Sequence, residues 1–156
     1  MAKKILVAFD DSDNARRAVD YVAKSFGKDI SVTLFSVIPD TSTICDLESP
    51  ELIPYFKAQQ SNFCLLEEKK KNLLEQALKQ AKESLREAGF NEKNINIKLE
   101  PKKRGIARDI LAEAAEGYDT IVMGKRGLSG VKEFFLGSVS QKVLSLAKDI
   151  SVMVVD

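Results

Sequence analysis

At 156 residues the chain is long enough for one domain with a substantial core, and its 44% hydrophobic and 30% charged residues are ordinary for a globular protein. A net charge of +1 gives no bulk attraction to nucleic acid or a membrane surface, and no apolar run approaches the length that spans a bilayer. Histidine is absent, which excludes a Ser-His-Asp triad, a Cys-His dyad and any histidine-ligated metal.

Met1-Ala2-Lys3-Lys4 runs straight into a strand pattern, without the apolar stretch and small-residue cleavage site of a signal peptide, so a cytoplasmic location is expected. Ile5 to Phe9 is a short continuous apolar run, the mark of a strand buried on both faces. After Asp10-Asp11-Ser12, Ala15, Ala18, Val19, Val22, Ala23 and Phe26 recur at helical spacing, with Ser12 as a fitting N-cap and Gly27 as a stop. Ile30 to Ile38 reads as a second buried strand ended by Pro39.

Asp40 to Ser61 breaks this rhythm. Pro50, Pro54 and scattered apolar residues predict a long loop or flap with a turn of helix, either a lid or interface or a tolerated surface insertion. Cys45 lies in it and Cys64 just beyond. The two form no CxxC pair and can be bridged only if the fold brings them close, so two free thiols are expected in a reducing compartment.

A long helix is predicted over Asn62 to Ala88, striped by Leu66, Leu74, Ala77, Leu78, Ala81 and Leu85. Its Lys69-Lys70-Lys71 run, set among Glu67, Glu68 and Glu75, reads as a solvated face rather than a nucleic-acid site. Gly89 stops it. Ile95, Ile97 and Leu99 alternate with polar residues in a third strand that Pro101 ends. Gly105 precedes a helix through Ile106, Ile110, Leu111 and Ala114, which Gly117 closes. Thr120 to Met123 is a fourth strand, about Ser138 to Ala147 a last helix, and Ser151 to Val155 a fifth strand.

Five strands and four helices in strict alternation predict a single α/β domain over residues 1–156: an open five-stranded, mostly parallel sheet with helices on both faces. Ligands of such sheets bind at the carboxyl ends of the strands, near a topological switch point. Asp10, Val37 and Gly124 all fall at predicted carboxyl ends. The fourth strand runs into Met123-Gly124-Lys125-Arg126-Gly127, and Gly137-Ser138-Val139-Ser140 opens the last helix. Glycines let main chain approach an anion closely, and a helix start supplies unpaired N–H groups and a positive dipole end. The segment therefore reads as a phosphate cradle, to which Ser138 and Ser140 add hydroxyls. The alternative is a tight strand exit at Gly124 and a plain helix start at Gly137.

Over nearly its whole length the chain resembles the universal stress proteins. The likeness rests on Val7-Ala8-Phe9-Asp10-Asp11-Ser12, Leu34-Phe35-Ser36-Val37, Ile121-Val122-Met123-Gly124-Lys125-Arg126-Gly127, Gly137-Ser138-Val139-Ser140-Gln141-Lys142-Val143, and Ser151 to Val155. It implies a Rossmann-like, adenine-nucleotide α-hydrolase-like fold. The glycine pattern is that of nucleotide-binding members, which implies a site for ATP or another adenine nucleotide, with magnesium. In that site Asp10 accepts the ribose hydroxyls, Ala8 and Phe9 line the adenine side, and the Val37 backbone meets the adenine edge. Met123, Gly124, Arg126 and Gly127 flank ribose and phosphates, while Gly137, Ser138, Val139 and Ser140 hold the phosphates. The resemblance further implies a homodimer through the last strand, and a protein client for a nucleotide-dependent switch. Lys125 and Asp11 stand where many members carry small residues. Lys125 either adds a phosphate contact or points to solvent, and Asp11 is unfavourable near phosphate unless magnesium screens it.

Three other functions compete with this reading. A phosphoacceptor receiver domain would also carry acidic residues after its first strand, but needs an aspartate where the third strand here ends Leu99-Glu100-Pro101. A dimeric interaction module of the same fold would leave the pocket vestigial. An enzyme would need a group to activate water, for which Asp11 and Glu133 are the candidates and neither lies in a supporting motif. At most slow ATP hydrolysis is expected.

Overall fold

The computed structural model describes residues 3–46, 54–126 and 136–156. Within them the chain alternates β1 (Lys4–Ala8), α1 (Asp13–Ser25), β2 (Ser31–Ile38), α2 (Ser42–Cys45), α3 (Pro54–Glu87), β3 (Ile95–Pro101), α4 (Ile106–Ala114), β4 (Thr120–Gly124), α5 (Ser138–Leu146) and β5 (Ser151–Val155). A short 3₁₀ turn, Glu92–Asn94, leads into β3.

The strands form one sheet in the order β3-β2-β1-β4-β5, with every pair parallel. The chain therefore builds outward from β1 to β3, then returns to the other side of β1 for β4 and β5. That reversal puts the switch point between β1 and β4, where the loops leaving the two strands diverge and open a crevice.

Strand periodicity splits the core in two. Ile5 and Val7 of β1 face one side with Val32 and Leu34 of β2, under Ala18, Val19 and Val22 of α1 and Leu78 and Leu85 of α3. Leu6 faces the other side with Phe35 and Ile121, under Ile110 of α4 and Val143 of α5. Burying each such aliphatic side chain contributes about 1.5–3 kcal/mol. Central strands covered on both faces explain why β1 and β4 read as continuous apolar runs rather than alternating ones.

The helix ends follow local chemistry. Ser12 Oγ accepts the N–H of Ala15 at 3.1 Å and caps α1, whose first turn carries Asp13 and whose last carries Lys24. Gly105, with φ of 129°, turns the chain into α4.

Two expectations about the middle of the chain are corrected. The turn of helix expected within 40–61 is α2, but the segment is shorter than expected, because α3 starts at Pro54, eight residues before the predicted Asn62. Proline suits the first turn of a helix, where its missing N–H has no intrahelical partner, so Pro54 opens α3 rather than breaking it. No apolar stripe announces this turn, because Tyr55 and Phe56 are exposed. The cysteines are not free: Cys45 of α2 and Cys64 of α3 form a disulfide, with Cα atoms 5.9 Å apart. The seating of α2 against α3, where the Gln60 side chain donates to the Ile44 carbonyl, brings the two sulfurs together.

Candidate functional site

A cavity of about 890 Å³ opens at the carboxyl ends of β1, β2 and β4. Of the twelve residues the sequence nominates, eleven line it: Ala8, Phe9, Asp10, Val37, Met123, Gly124, Arg126, Gly137, Ser138, Val139 and Ser140. The twelfth, Gly127, lies outside the described residues, as does Glu133.

The β1 end is built by main-chain crossings. Phe9 continues the β1 ladder, its N–H donating to the Phe35 carbonyl at 2.9 Å. Its carbonyl accepts the buried Ser36 hydroxyl at 2.6 Å, which fastens β1 to β2 at the cavity edge. The Phe9 ring itself is only 4% exposed and packs in the α1–α3 core, so this residue faces the cavity through main chain rather than through its ring.

Asp10 and Asp11 then take different parts. One Asp10 carboxylate oxygen accepts the Ser12 N–H at 3.1 Å, an Asx-type turn that fixes the side chain. Ser12 caps α1, as expected. Asp11 adopts a left-handed conformation, with φ of 62°. Its carboxylate accepts from Arg16 Nη2 at 2.5 Å and Nε at 3.2 Å, and this pairing holds the Arg16 guanidinium above its ordinary pKa. The extra negative charge that the sequence raises as a difficulty is thus neutralised within the chain.

The β4 side is tied to α5. Gly137 donates its N–H to the Lys125 carbonyl at 2.8 Å, and Lys125 in turn donates to the Val155 carbonyl at 2.7 Å. The start of α5 is thereby fixed beside the ends of β4 and β5. Gly137 is the N-cap residue and, as glycine, brings no side chain of its own to cap the helix. Helix geometry leaves the N–H groups of Ser138, Val139 and Ser140 without intrahelical acceptors, and all three residues line the cavity.

Two sequence-derived roles change here. The Gly137 N–H is spent on Lys125, and the Ser140 hydroxyl, on a residue 4% exposed, donates to the Gly124 carbonyl at 2.8 Å. Both hold the cradle together, while the main chain of residues 138–140 and the exposed Ser138 hydroxyl stand at the cavity wall. Arg126 reaches Asp156 at 4.0 Å while also lining the cavity.

Sequence reasoning missed one wall. Glu67, Lys71 and Leu74 of α3 line the cavity, as do Thr41, Cys45 and Cys64. The first two lie in the charge run read as a solvated face. A spacing of three and four from Cys64 through Glu67 to Lys71 is the available signal that one face of α3 is shared.

The cavity wall is apolar where β1 and β2 end, at Ala8 and Val37, and rich in donors at α5. This donor set fits an adenine nucleotide: an apolar slot for a flat base, a fixed carboxylate for ribose hydroxyls, and helix-start amides for phosphate. Among the described residues no group of three or more acidic, cysteine or histidine side chains could hold a metal. Magnesium here would have to be held largely by the phosphates themselves.

A sequence profile of the Universal stress protein family matches residues 1–156. Universal stress protein YxiE of Bacillus subtilis (strain 168) is 35% identical over 148 residues, covering 94% of this chain and 95% of that one. Among solved structures, the fold matches hypothetical protein MJ0577, the subject of a structure-based assignment of biochemical function, with a TM-score of 0.72 and 26% identity over 99% of this chain and 96% of that one. It also matches a universal stress protein in complex with cAMP, with a TM-score of 0.59 and 20% identity over 99% and 96% of the two chains.

Proposed function

This chain belongs to the universal stress protein family, and we propose that it binds ATP, with magnesium, in the crevice between β1 and β4 and acts as a nucleotide-dependent switch. The observation that carries the reading is the convergence of the uncapped α5 start with the fixed Asp10 carboxylate in one cavity. Three amides on a helix dipole suit a phosphate chain, and a carboxylate at the far side of the switch point suits ribose. The cAMP complex of a structural relative supports an adenine nucleotide as the ligand class.

In the switch reading, bound nucleotide favours one arrangement of the crevice rim, which a client protein then recognises. The protein works as a homodimer joined through β5, in the cytoplasm. No helix among the described residues is long and apolar enough to cross a membrane.

Isothermal titration with ATP, ADP and AMP, with and without magnesium, tests the binding step. Mass spectrometry of ligand released from the purified protein identifies the resident nucleotide. Saturable binding of ATP is expected. Absence of heat with all three nucleotides, together with no nucleotide released, would remove the proposal.

A further inference from the structure

The disulfide joins two cavity-lining residues, and among the described residues the piece it holds has few other anchors. Cys45 ends α2, a helix of four residues with none buried. A single turn of helix is far below the length that is stable alone. Its described anchors are few. The Asp40 carboxylate accepts the Ser42 N–H at 3.1 Å and hydroxyl at 2.7 Å, and the Ile44 carbonyl accepts the Gln60 side-chain amide. The covalent link is Cys45 to Cys64, spanning 19 positions of sequence. Both sulfur-bearing residues and Thr41 form part of the cavity wall. They are the only two cysteines of the chain, so no third thiol competes for the bridge. Both are half-buried rather than sealed in the core, which leaves them open to exchange.

We propose that the Cys45–Cys64 bridge is a reversible redox clamp on the nucleotide crevice, its oxidised form holding α2 as an ordered rim and binding nucleotide more tightly than its reduced form. The inference rests on the adenine-nucleotide reading of the cavity. In the reducing cytoplasm proposed above, a disulfide is a transient, sensing bond rather than a permanent staple. Its reductant is a dithiol. One reductant thiolate attacks a cysteine sulfur and forms a mixed disulfide, releasing the other cysteine as a thiolate that takes a proton. The second reductant thiol then displaces the attached cysteine. Two electrons and two protons pass to Cys45 and Cys64, and the dithiol leaves as a disulfide. Once cut, the rim is ordered only part of the time, and apparent affinity falls by that fraction.

The test compares ATP affinity of the oxidised protein with that of protein reduced by dithiothreitol, thiol content being titrated in each. If the freed rim is ordered about a tenth of the time, Kd rises about tenfold on reduction. Linkage then requires ATP to shift the equilibrium of the bridge with a dithiothreitol redox buffer by the same factor, toward the oxidised form. The double variant Cys45→Ser/Cys64→Ser is expected to bind like the reduced protein and to ignore reductant; where it fails to fold, reduced wild type supplies the comparison. Equal affinity in both redox forms overturns the clamp and leaves the nucleotide reading standing. So does a thiol titration that finds two free cysteines under oxidising conditions. Failure of ATP to bind either form overturns the nucleotide reading and the clamp with it.

Discussion

Gly124 at the end of β4 lies hard against Asn14 in the first turn of α1: a Cβ built at position 124 would stand 2.7 Å from both the Cβ and the carbonyl carbon of Asn14. Real Cβ atoms do not approach backbone so closely, so glycine here makes room for a helix. The close approach seats the Asp10–Ser12 turn beside the β4 end, across the switch point. Ser140 completes the joint from the other face by donating to the Gly124 carbonyl. One glycine thus takes α1 on one face and α5 on the other at the end of β4.

Gly124→Ala is therefore expected to destabilise the fold by about 1–3 kcal/mol through overpacking. The opposing atoms include main chain of α1, which cannot swing aside as a flexible side chain would. Urea unfolding measures the loss. An unchanged midpoint would mean that α1 gives way freely and that the glycine is not demanded by packing.

Two serine variants separate cradle from scaffold. Ser138→Pro removes one N–H at the first position of α5, where proline is tolerated, and Gly137 with ψ of 156° already has the backbone that precedes proline. The substitution deletes two donors, this N–H and the Ser138 hydroxyl; losing even one to a charged phosphate costs about 1.5–3 kcal/mol, so ATP affinity should fall about tenfold or more with little change in melting temperature. Ser140→Ala should do the reverse, lowering stability by about 1 kcal/mol and leaving affinity nearly intact. Titration calorimetry and thermal melts on both variants check the contrast. Similar affinity losses in the two would return the Ser140 hydroxyl to the ligand.

The dimer prediction turns on strand geometry. The Val155 carbonyl accepts from Lys125, so Val155 faces β4, and the main-chain groups of Val152 and Val154 point outward from the sheet edge. Such an edge is a template for pairing with a second copy. Val154→Pro deletes an outward N–H while sparing the bonds to β4, a substitution edges accept. Sedimentation at micromolar concentration should find a dimer for wild type and a monomer for Val154→Pro. A monomeric wild type would refute pairing through β5.

The acid side of the stability profile traces partly to Glu113. Burial pushes its carboxyl up, but hydrogen bonds from Lys98 at 2.6 Å and from the Tyr118 hydroxyl at 2.9 Å outweigh that and hold it below the ordinary value. A depressed carboxyl stabilises the fold above its unfolded pKa of about 4.3, and the contribution is lost as pH falls through the lower folded value. Glu113→Gln should cost about 1 kcal/mol at neutral pH, with the gap to wild type closing below about pH 4. Denaturant unfolding across that range checks the sign. A gap that widens in acid would contradict it.

Much of this architecture is legible in the sequence because each signal is local. Ile5 to Phe9 and Thr120 to Met123 are apolar runs bounded by acidic or glycine residues, and the parallel sheet follows from their alternation with helices. The β1, β4 and α5 ends of the site are legible for the same reason, each being a strand end or helix start. What was not legible depends on contacts between distant segments. Pro54 looks like a breaker until it is seen to open a helix. The pairing of Cys45 with Cys64 needs α2 to fold back on α3. Glu67 and Lys71 look like solvated charges until that wall is set against the cavity, and the role of Gly124 needs Asn14, 110 positions away, to be in place.

Hydrolysis is the last expectation. A fast ATPase needs a group positioned to take a proton from water, and with no histidine in the chain that duty falls to carboxylates. Asp11, the nearest candidate of the β1 end, is already engaged: one of its carboxylate oxygens accepts two hydrogen bonds from the Arg16 guanidinium. Asp10 already accepts the Ser12 N–H and is assigned to ribose. The cradle can hold a nucleotide without supplying a base to activate the attacking water. Turnover of ATP by the purified protein with magnesium should therefore lie well below the 1–10³ per second or so of ordinary enzymes. Phosphate release over hours, with Ser138→Pro as the control for site-dependent activity, measures it. Release faster than about one per second, lost in the variant, would show that a base has been overlooked and that the crevice is a catalytic centre rather than a switch.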